Sequence, residues 1–450
     1  MSTVNDMTVG NPTRNILFFS LPLIGGYLLQ QTYTVVDAII VGQCLGVEAL
    51  AAVGASWAVM FLIMGFCNGA CAGFAIPVAQ SFGAKDFSLM RRYVAGAIRL
   101  SLFIALGFTI VTTLMCRSIL EWVQTPADII DDAYIFFLLQ LLSIPFIMAY
   151  NMLACLLRAL GNSRQPFYFL ILASALNIVL AVILIIMMGM GVAGVGIATL
   201  ISQGVAALAC WTYIHRHATL LIPRTDERRH HHILTKHLLN NGIPMGLQFS
   251  ITGIGIIMLQ TANNALGTVY VAAFTASMRV KYLFTCVFEN IGVAMATYCG
   301  QNYGARRLKR VGQGLQSAII ISLCYFVIAA VLIQPFADDM MRLFVDSSNS
   351  EVISNAAMLM RIACWFYPVL GLLTILRYSI QGLGWSNLAM VSGIMEMLAR
   401  GGVSIWLVPA IHYLGVCYGD PIAWLAADSF LIPAMLWLYC RRLKNEVHTS

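Results

Sequence analysis

The stretch LLQQTYTVVDAIIVG, residues 28–42, sets one carboxylate, Asp37, in a run that is otherwise apolar or uncharged. A carboxylate withdrawn from water is costly in its charged form unless a cation or a proton answers it. Its natural chemistry is therefore the uptake and release of a proton or small cation. Gln30, Gln31, Tyr33 and Thr34 beside it offer hydrogen bonds but no countercharge. The apolar runs of the second half hold many more ionisable groups: Arg279, Lys281, Glu289, Arg361, Arg377, Glu396, Arg400 and Asp428. A charge at the centre of a membrane helix costs on the order of 2.5–3.5 kcal/mol, so such groups face a cavity or a partner. Glu396 and Arg400 are four residues apart on one helix face and can neutralise each other. Arg377 is placed to snorkel to the inner surface. Arg279, Lys281 and Arg361 lie about ten residues, roughly 15 Å of helix rise, from the outer ends of their spans. They are candidates to line an outer cavity.

Other chemistries find little support. There is no HExxH motif, and His412, at a span end, is the nearest any histidine comes to a span core, so a nucleophile–base pair or catalytic metal is not expected. The twelve cysteines lie mostly in apolar runs without a CxxC pair and read as small packing residues. The tract RRHHHILTKH, residues 228–237, sits in the longest cytoplasmic loop and reads as a solvated linker rather than a metal site. No basic, aromatic-interleaved soluble module is present to bind nucleic acid.

The elements that must position these groups are membrane helices. Of the 450 residues 60 % are hydrophobic and only 10 % charged, with mean hydropathy +0.83. Apolar segments of about 20 residues, enough to span the hydrocarbon as helix, recur throughout. Twelve spans are expected, at 15–42, 49–79, 93–116, 129–157, 166–188, 192–214, 238–264, 269–301, 311–335, 352–381, 388–410 and 416–440. The first is too long for a signal-peptide core and holds Asp37, so it reads as an uncleaved span. Loops on one side carry 18 of the 26 Lys and Arg, those on the other only Arg117 and Arg342. By the positive-inside rule both termini are cytoplasmic, and the net charge of +7 is a matter of topology.

The chain repeats itself. VAQSFGAKD at 78–86 matches CGQNYGARR at 299–307, aligning Gln80, Gly83, Ala84 and Lys85 with Gln301, Gly304, Ala305 and Arg306. SLPLIGG around Pro22 matches GIPMGLQ around Pro244. IPFIMAYNMLACLLRALGNS matches YPVLGLLTILRYSIQGLGWS, aligning Pro145 with Pro368 and Gly161 with Gly384. Each copy holds six spans, an even number, so the copies are parallel repeats like those of alternating-access carriers, where substrate binds between the halves. The expected organisation is an amino-terminal lobe over 1–215, a cytoplasmic interlobe loop over 216–237 and a carboxy-terminal lobe over 238–450. GFCNGACAG, residues 65–73, has two GxxxG spacings suited to close helix packing. Pro22, Pro145, Pro244 and Pro368 can each bend a span, as hinges or as static kinks.

Taken together, the two six-helix repeats, Asp37 after a proline, the paired Q-x-[FY]-G-A-[KR] ends, LRALGNSRQP after the fourth span, LNIVL in the fifth and GLGWSN after the tenth resemble the multidrug and toxic compound extrusion (MATE) transporters, over residues 12–440 and most closely the bacterial DinF-like branch. The resemblance implies an all-α polytopic membrane protein of the bacterial cytoplasmic membrane. It implies a monomer that exports small amphipathic organic compounds from a central cavity, among membrane lipids and without cofactors. It implies that Asp37 binds the coupling cation, aided by Asn177 of the fifth span, and that Gln30, Tyr33, Asn151, Gln248, Arg279, Lys281, Glu289 and Arg361 line the cavity. Two departures matter. Ala181 stands where the family often has a second carboxylate one turn after the asparagine, and the seventh span offers Gln248 rather than an acid. So thin a supply of hard oxygen ligands favours H+ over Na+ as the coupling ion. The basic groups of the second half extend the expected cargo to anions; they also suit a rival reading, a lipid-linked oligosaccharide flippase gripping a pyrophosphate.

Overall fold

The computed structural model describes residues 5–346 and 348–447, and among them the chain is helical with turns and short links and no strand. The side chains of Arg442 and Lys444, part of the basic count above, lie outside what is described. Ten helices are long and apolar enough to cross a membrane, and the pair Ser350–Trp365 and Tyr367–Gly382 makes an eleventh, bent by 55°. The first helix, Pro12–Cys44, is not among the ten although its 33 residues suffice in length. Its second half carries Gln30, Gln31, Thr32, Tyr33, Thr34, Asp37 and Gln43, which dilute its hydropathy. Counted by length, it completes the twelve.

The chain folds as two compact units. The first is built from Leu21–Gly246 with the stretch ending at Asp6, the second from Met7–Ser20 with Leu247–Ser450. Two helices thus contribute to both units. The first span gives its start to the second unit and the rest, from Leu21 on, to the first; the seventh, His232–Asn264, changes unit after Gly246. Each change falls beside a proline, Pro22 or Pro244, where the missing N–H weakens the helical ladder.

The repeat is written into the backbone as well as the sequence. The second span ends at Gly83 and the eighth, Thr268–Gly304, at Gly304, and the aligned residues Lys85 and Arg306 both adopt left-handed conformations, φ 59° and 57°. Their closing hydrogen bonds match: Lys85 N–H to Phe82 O at 3.0 Å and Asp86 N–H to Ser81 O at 3.1 Å, against Arg306 N–H to Tyr303 O at 2.9 Å and Arg307 N–H to Asn302 O at 2.8 Å. The fourth span, Ile130–Ala159, and the tenth end at Gly161 (φ 80°) and Gly384 (φ 89°), glycines because a Cβ disfavours that geometry. The fifth, Arg164–Val182, and the eleventh, Ser386–Gly402, both run on into a π-helical turn, Ile183–Met187 and Val403–Leu407.

The prolines do not behave alike. Pro368 stands at the start of Tyr367–Gly382, just after the break at Phe366, whereas its counterpart Pro145 lies inside the unbroken Ile130–Ala159. Bending therefore differs between the two copies at this landmark.

Glycine packing holds the first unit together. A Cβ on Gly73, the last residue of the GxxxG series, would lie 2.6 Å from Asn241 O and Gly242 Cα, and one on Gly242 would lie 2.1 Å from the Phe74 ring. The second and seventh helices meet there backbone to backbone. In the second unit Gln301 accepts the Met7 N–H at 2.9 Å, while Arg307 donates to Thr8 O at 2.6 Å and Arg310 to Gly10 O at 3.1 Å. The eighth-span motif is thus an anchor for the amino-terminal segment.

The interlobe loop is anchored at Glu227, while residues 228–233 of the histidine-rich tract are exposed, as a solvated linker would be. Glu227, 2 % exposed, receives a two-pronged bond from Arg91 of the third span, Phe87–Leu114, at 2.6 and 2.7 Å, and a third from the Arg224 N–H at 2.9 Å. Arg99 donates to Arg228 O at 2.8 Å, and Tyr93 meets His237 Nδ1 at 3.2 Å. The Arg91 guanidinium holds the Glu227 carboxyl down to about 2.

Candidate functional site

In the first unit, the face of the first span that carries Asp37 is packed against the fifth. Gly25 and Gly26 approach Phe167 and Leu170 so closely that a Cβ on either would stand 3.3 Å from those side chains. Farther along both helices, Val41 and Ala181 share one apolar cluster with Phe136, Ile185, Val192, Val195 and Ala198. Contacts near the starts and near the ends make the two helices run side by side in the same direction. Asp37 is one turn before Val41 and Asn177 one turn before Ala181, both members of that cluster. Ala181, where a second acid was looked for, serves that apolar cluster.

Polar, uncharged side chains stand beside each of the two. Asp37 is half-buried; Tyr33, one turn away, feels its charge and hydrogen-bonds with Gln30 and Thr34. Gln30 is exposed. Asn177 is buried, and its Nδ2 reaches Thr199 Oγ1 at 3.3 Å and Ser202 Oγ at 3.5 Å, both on the sixth span, Val192–His217. These two hydroxyls escaped the sequence reading because threonine and serine are common in membrane helices. Asn151 donates to Asn68 Oδ1 at 2.7 Å, away from this group.

In the second unit the ionisable residues form a network rather than a set of free charges. Lys281 is ion-paired with Asp420, and Asp420 also accepts from Arg400 Nε at 2.9 Å. Arg400 Nη1 donates to Glu396 at 3.2 Å, and Glu396 takes a second bond from Arg377, which in turn reaches Ser392 Oγ at 3.0 Å. All five charged groups are buried. A buried charge is tolerable when others of opposite sign saturate it, and each acid here serves two cations.

Two expectations change accordingly. Arg377 does not snorkel; it is buried and held by Glu396 and Ser392. Glu396–Arg400 is one link of a longer chain, Lys281–Asp420–Arg400–Glu396–Arg377, one member of which, Asp420, was overlooked. Asp420 precedes Pro421 near the start of its span and lies inside the helix Tyr413–Val447. The unmatched surplus of cations in this half was the signal that another acid had to be present.

The remaining candidates are dispersed. Arg361, half-buried, pairs with Asp338, and Arg279 is exposed. Gln248 accepts from Gln381 Nε2 at 2.6 Å, both side chains buried. Glu289 accepts from the Tyr378 hydroxyl at 3.3 Å. Among the described residues, no three His, Cys, Asp or Glu side chains converge as a metal site would require.

Known proteins share this organisation. A family model described as MatE matches twice, over residues 22–183 and 244–405, so that the second match begins and ends 222 residues after the first and both begin at a span proline. The chain is 28 % identical over 403 residues to the "Probable multidrug resistance protein YpnP" of Bacillus subtilis (strain 168), covering 90 % of this chain and 88 % of that one. It is 20 % identical over 440 residues to the "Multidrug export protein MepA" of Staphylococcus aureus (strain MSSA476), covering 97 % and 95 %. Its fold matches a structure titled "Crystal structure of MATE in the bent conformation" with TM-score 0.90, at 23 % identity and over 99 % of this chain and 98 % of that one. On the doubled family match and the doubled architecture alike, the chain belongs to the MatE family of multidrug and toxic compound extrusion transporters.

Proposed function

We propose that the chain exports small amphipathic organic compounds across the bacterial cytoplasmic membrane by antiport against protons, with Asp37 as the coupling carboxylate. The observation that carries this reading is the setting of Asp37: a half-buried acid beside uncharged hydrogen-bonding groups, on a helix packed against the one that bears the buried amide of Asn177. Among the described residues no three His, Cys, Asp or Glu side chains converge, and Ala181 stands where a second acid could have added hard oxygens, so a proton is the better ligand than sodium. The names of the relatives, a multidrug resistance protein and a multidrug export protein, support the direction and the class of cargo. Both termini are cytoplasmic in this reading, and the lobes expose the cargo site to each side in turn.

Proton and cargo are coupled because each binds one conformation better than the other. A ligand shifts a two-state equilibrium only by its differential affinity. Protonation of Asp37 from outside removes a charge and rearranges its polar contacts, which favours release of cargo outside and return of the empty carrier. Deprotonation inside restores the cargo-binding state.

The cargo is amphipathic rather than anionic. Lys281 and Arg361 are engaged by Asp420 and Asp338, so of the three bases considered for an anion only the exposed Arg279 keeps its charge on offer. The same pairing removes the grip that a pyrophosphate-carrying lipid would need.

Efflux from proteoliposomes loaded with a fluorescent amphipathic cation tests the proposal, with proton and sodium gradients imposed separately. Wild-type protein is expected to respond to the proton gradient, and Asp37→Asn to lose gradient-driven efflux while still binding the dye. Undiminished proton-driven efflux by Asp37→Asn refutes it.

A further inference from the structure

Asp428 takes no part in the ion-pair network of the second unit. It lies on the last helix with 4 % of its surface exposed, and neither carboxylate oxygen has a hydrogen-bond partner among the described residues. An ionised carboxylate left in that state bears its full desolvation penalty, whereas a protonated one does not.

The charges that face it are few. Arg377 comes from the second limb of the tenth span and Glu396 from the eleventh, and these two are paired with each other. Of the other elements packed on the last helix, Val403–Leu407 and Val408–Ile411 carry no ionisable side chain. Ser350–Trp365 carries Glu351 at its start, Arg361, which is engaged by Asp338, and the thiol of Cys364. Asp420, two turns back on the same helix, is saturated by Lys281 and Arg400.

Glu289 sits under the influence of the same Arg377 and Glu396, but it has a donor, the Tyr378 hydroxyl. The network itself sets three cations, Lys281, Arg377 and Arg400, against two anions, Glu396 and Asp420, leaving one positive charge. One further carboxylate neutralises it, and a second would leave the cluster negative in a medium that screens poorly. Glu289, with its hydrogen bond, is the one suited to ionise; Asp428, with none, is the one suited to keep a proton.

We propose that Asp428 is a proton-binding site of the carboxy-terminal unit, and that Glu289 and Asp428 answer the single unmatched positive charge between them, so that one is ionised while the other is protonated. The ligand is a proton and not a metal cation, because a hard cation collects several oxygen ligands and, among the described residues, neither Asp428 oxygen has a hydrogen-bond partner that could join such a shell. The site is distinct from Asp37 and stands whether or not Asp37 couples transport.

Infrared spectra of the full chain in an ester-free detergent test this, because there only a protonated carboxyl shows the high-frequency carbonyl stretch. All measurements are made in the Asp37→Asn background at neutral pH, which removes the contribution of the first-span acid. The expected result is a carboxyl band that disappears in Asp428→Asn, and that is lost also in Glu289→Gln, where the unmatched positive charge falls to Asp428 alone. A band of undiminished intensity in Asp428→Asn overturns the proposal. Should that variant fail to fold, heavy-carbon labelling of aspartate carboxyls decides: a band that moves on labelling supports the proposal, and a band that stays, or none at all, overturns it.

Discussion

A single acid means different things in different company, and the charged residues of this chain show it. Asp420 is saturated by two buried cations, while Asp37 is half-buried on a helix rich in uncharged polar side chains. Removing a member of a buried, mutually saturated set leaves its partners uncompensated, at a cost of about 3–5 kcal/mol. Asp420→Asn is therefore expected to lower the thermal midpoint of the detergent-solubilised protein well below that of Asp37→Asn. Adding Lys281→Met to Asp420→Asn should recover part of the loss, because the two side chains interact directly; strictly additive losses would contradict the pairing. The sequence displayed Asp37 plainly, since one carboxylate in an uncharged run needs a reason. It did not disclose who partners whom in the second half, because those partners come from four helices and helical periodicity orders residues only along one.

At the scale of elements, the decisive features are where helices stop, bend or touch. The ends of the second and eighth spans were legible because a glycine, an alanine and a cation recur there, and the left-handed Lys85 and Arg306 give that recurrence its geometry. The π-helical turns were not legible, since an extra residue in a turn leaves no mark on hydropathy. Nor was the docking of the interlobe loop, which depends on Glu227 meeting Arg91 across 136 positions of sequence. That bond carries a definite pH dependence. The carboxyl ordinarily titrates near 4.5 and is held down to about 2 in the fold, so its contribution is complete above about 4.5 and is lost as pH falls through about 2. Hydrogen exchange over residues 224–231, corrected for its intrinsic pH dependence, should stay slow from neutrality to about 4.5 and accelerate below; in Arg91→Ala it should be fast throughout. Where the second and seventh helices touch, Gly242→Val forces a side chain into the Phe74 ring. The expected outcome is poor yield of folded protein, read by size-exclusion chromatography, with Gly107→Val, at a glycine open to space, behaving as wild type.

The whole molecule is a duplication whose halves are not self-contained. Hydropathy and three matched landmarks were enough to see the two copies, and the doubled family match over 22–183 and 244–405 agrees with them. What they could not indicate is that the first helix lends its start to the second unit and the seventh lends its start to the first. A chain cut within the interlobe loop therefore yields two fragments, each lacking a stretch that its own unit uses. Co-expressed fragments should assemble into protein that is stable in detergent, while either alone should be degraded; a stable lone fragment would argue against the exchange.

That exchange also sets a timetable for biosynthesis. Met7 leaves the ribosome well before the side chain that receives its N–H, Gln301, which follows 294 positions later. At about 5–20 residues per second of translation, that backbone waits roughly 15 to 60 seconds for its binding partner. Throughout that interval the helix Pro12–Cys44 must lodge in the bilayer with the segment before it unclaimed, so a stretch made long before its partner reaches its final home late.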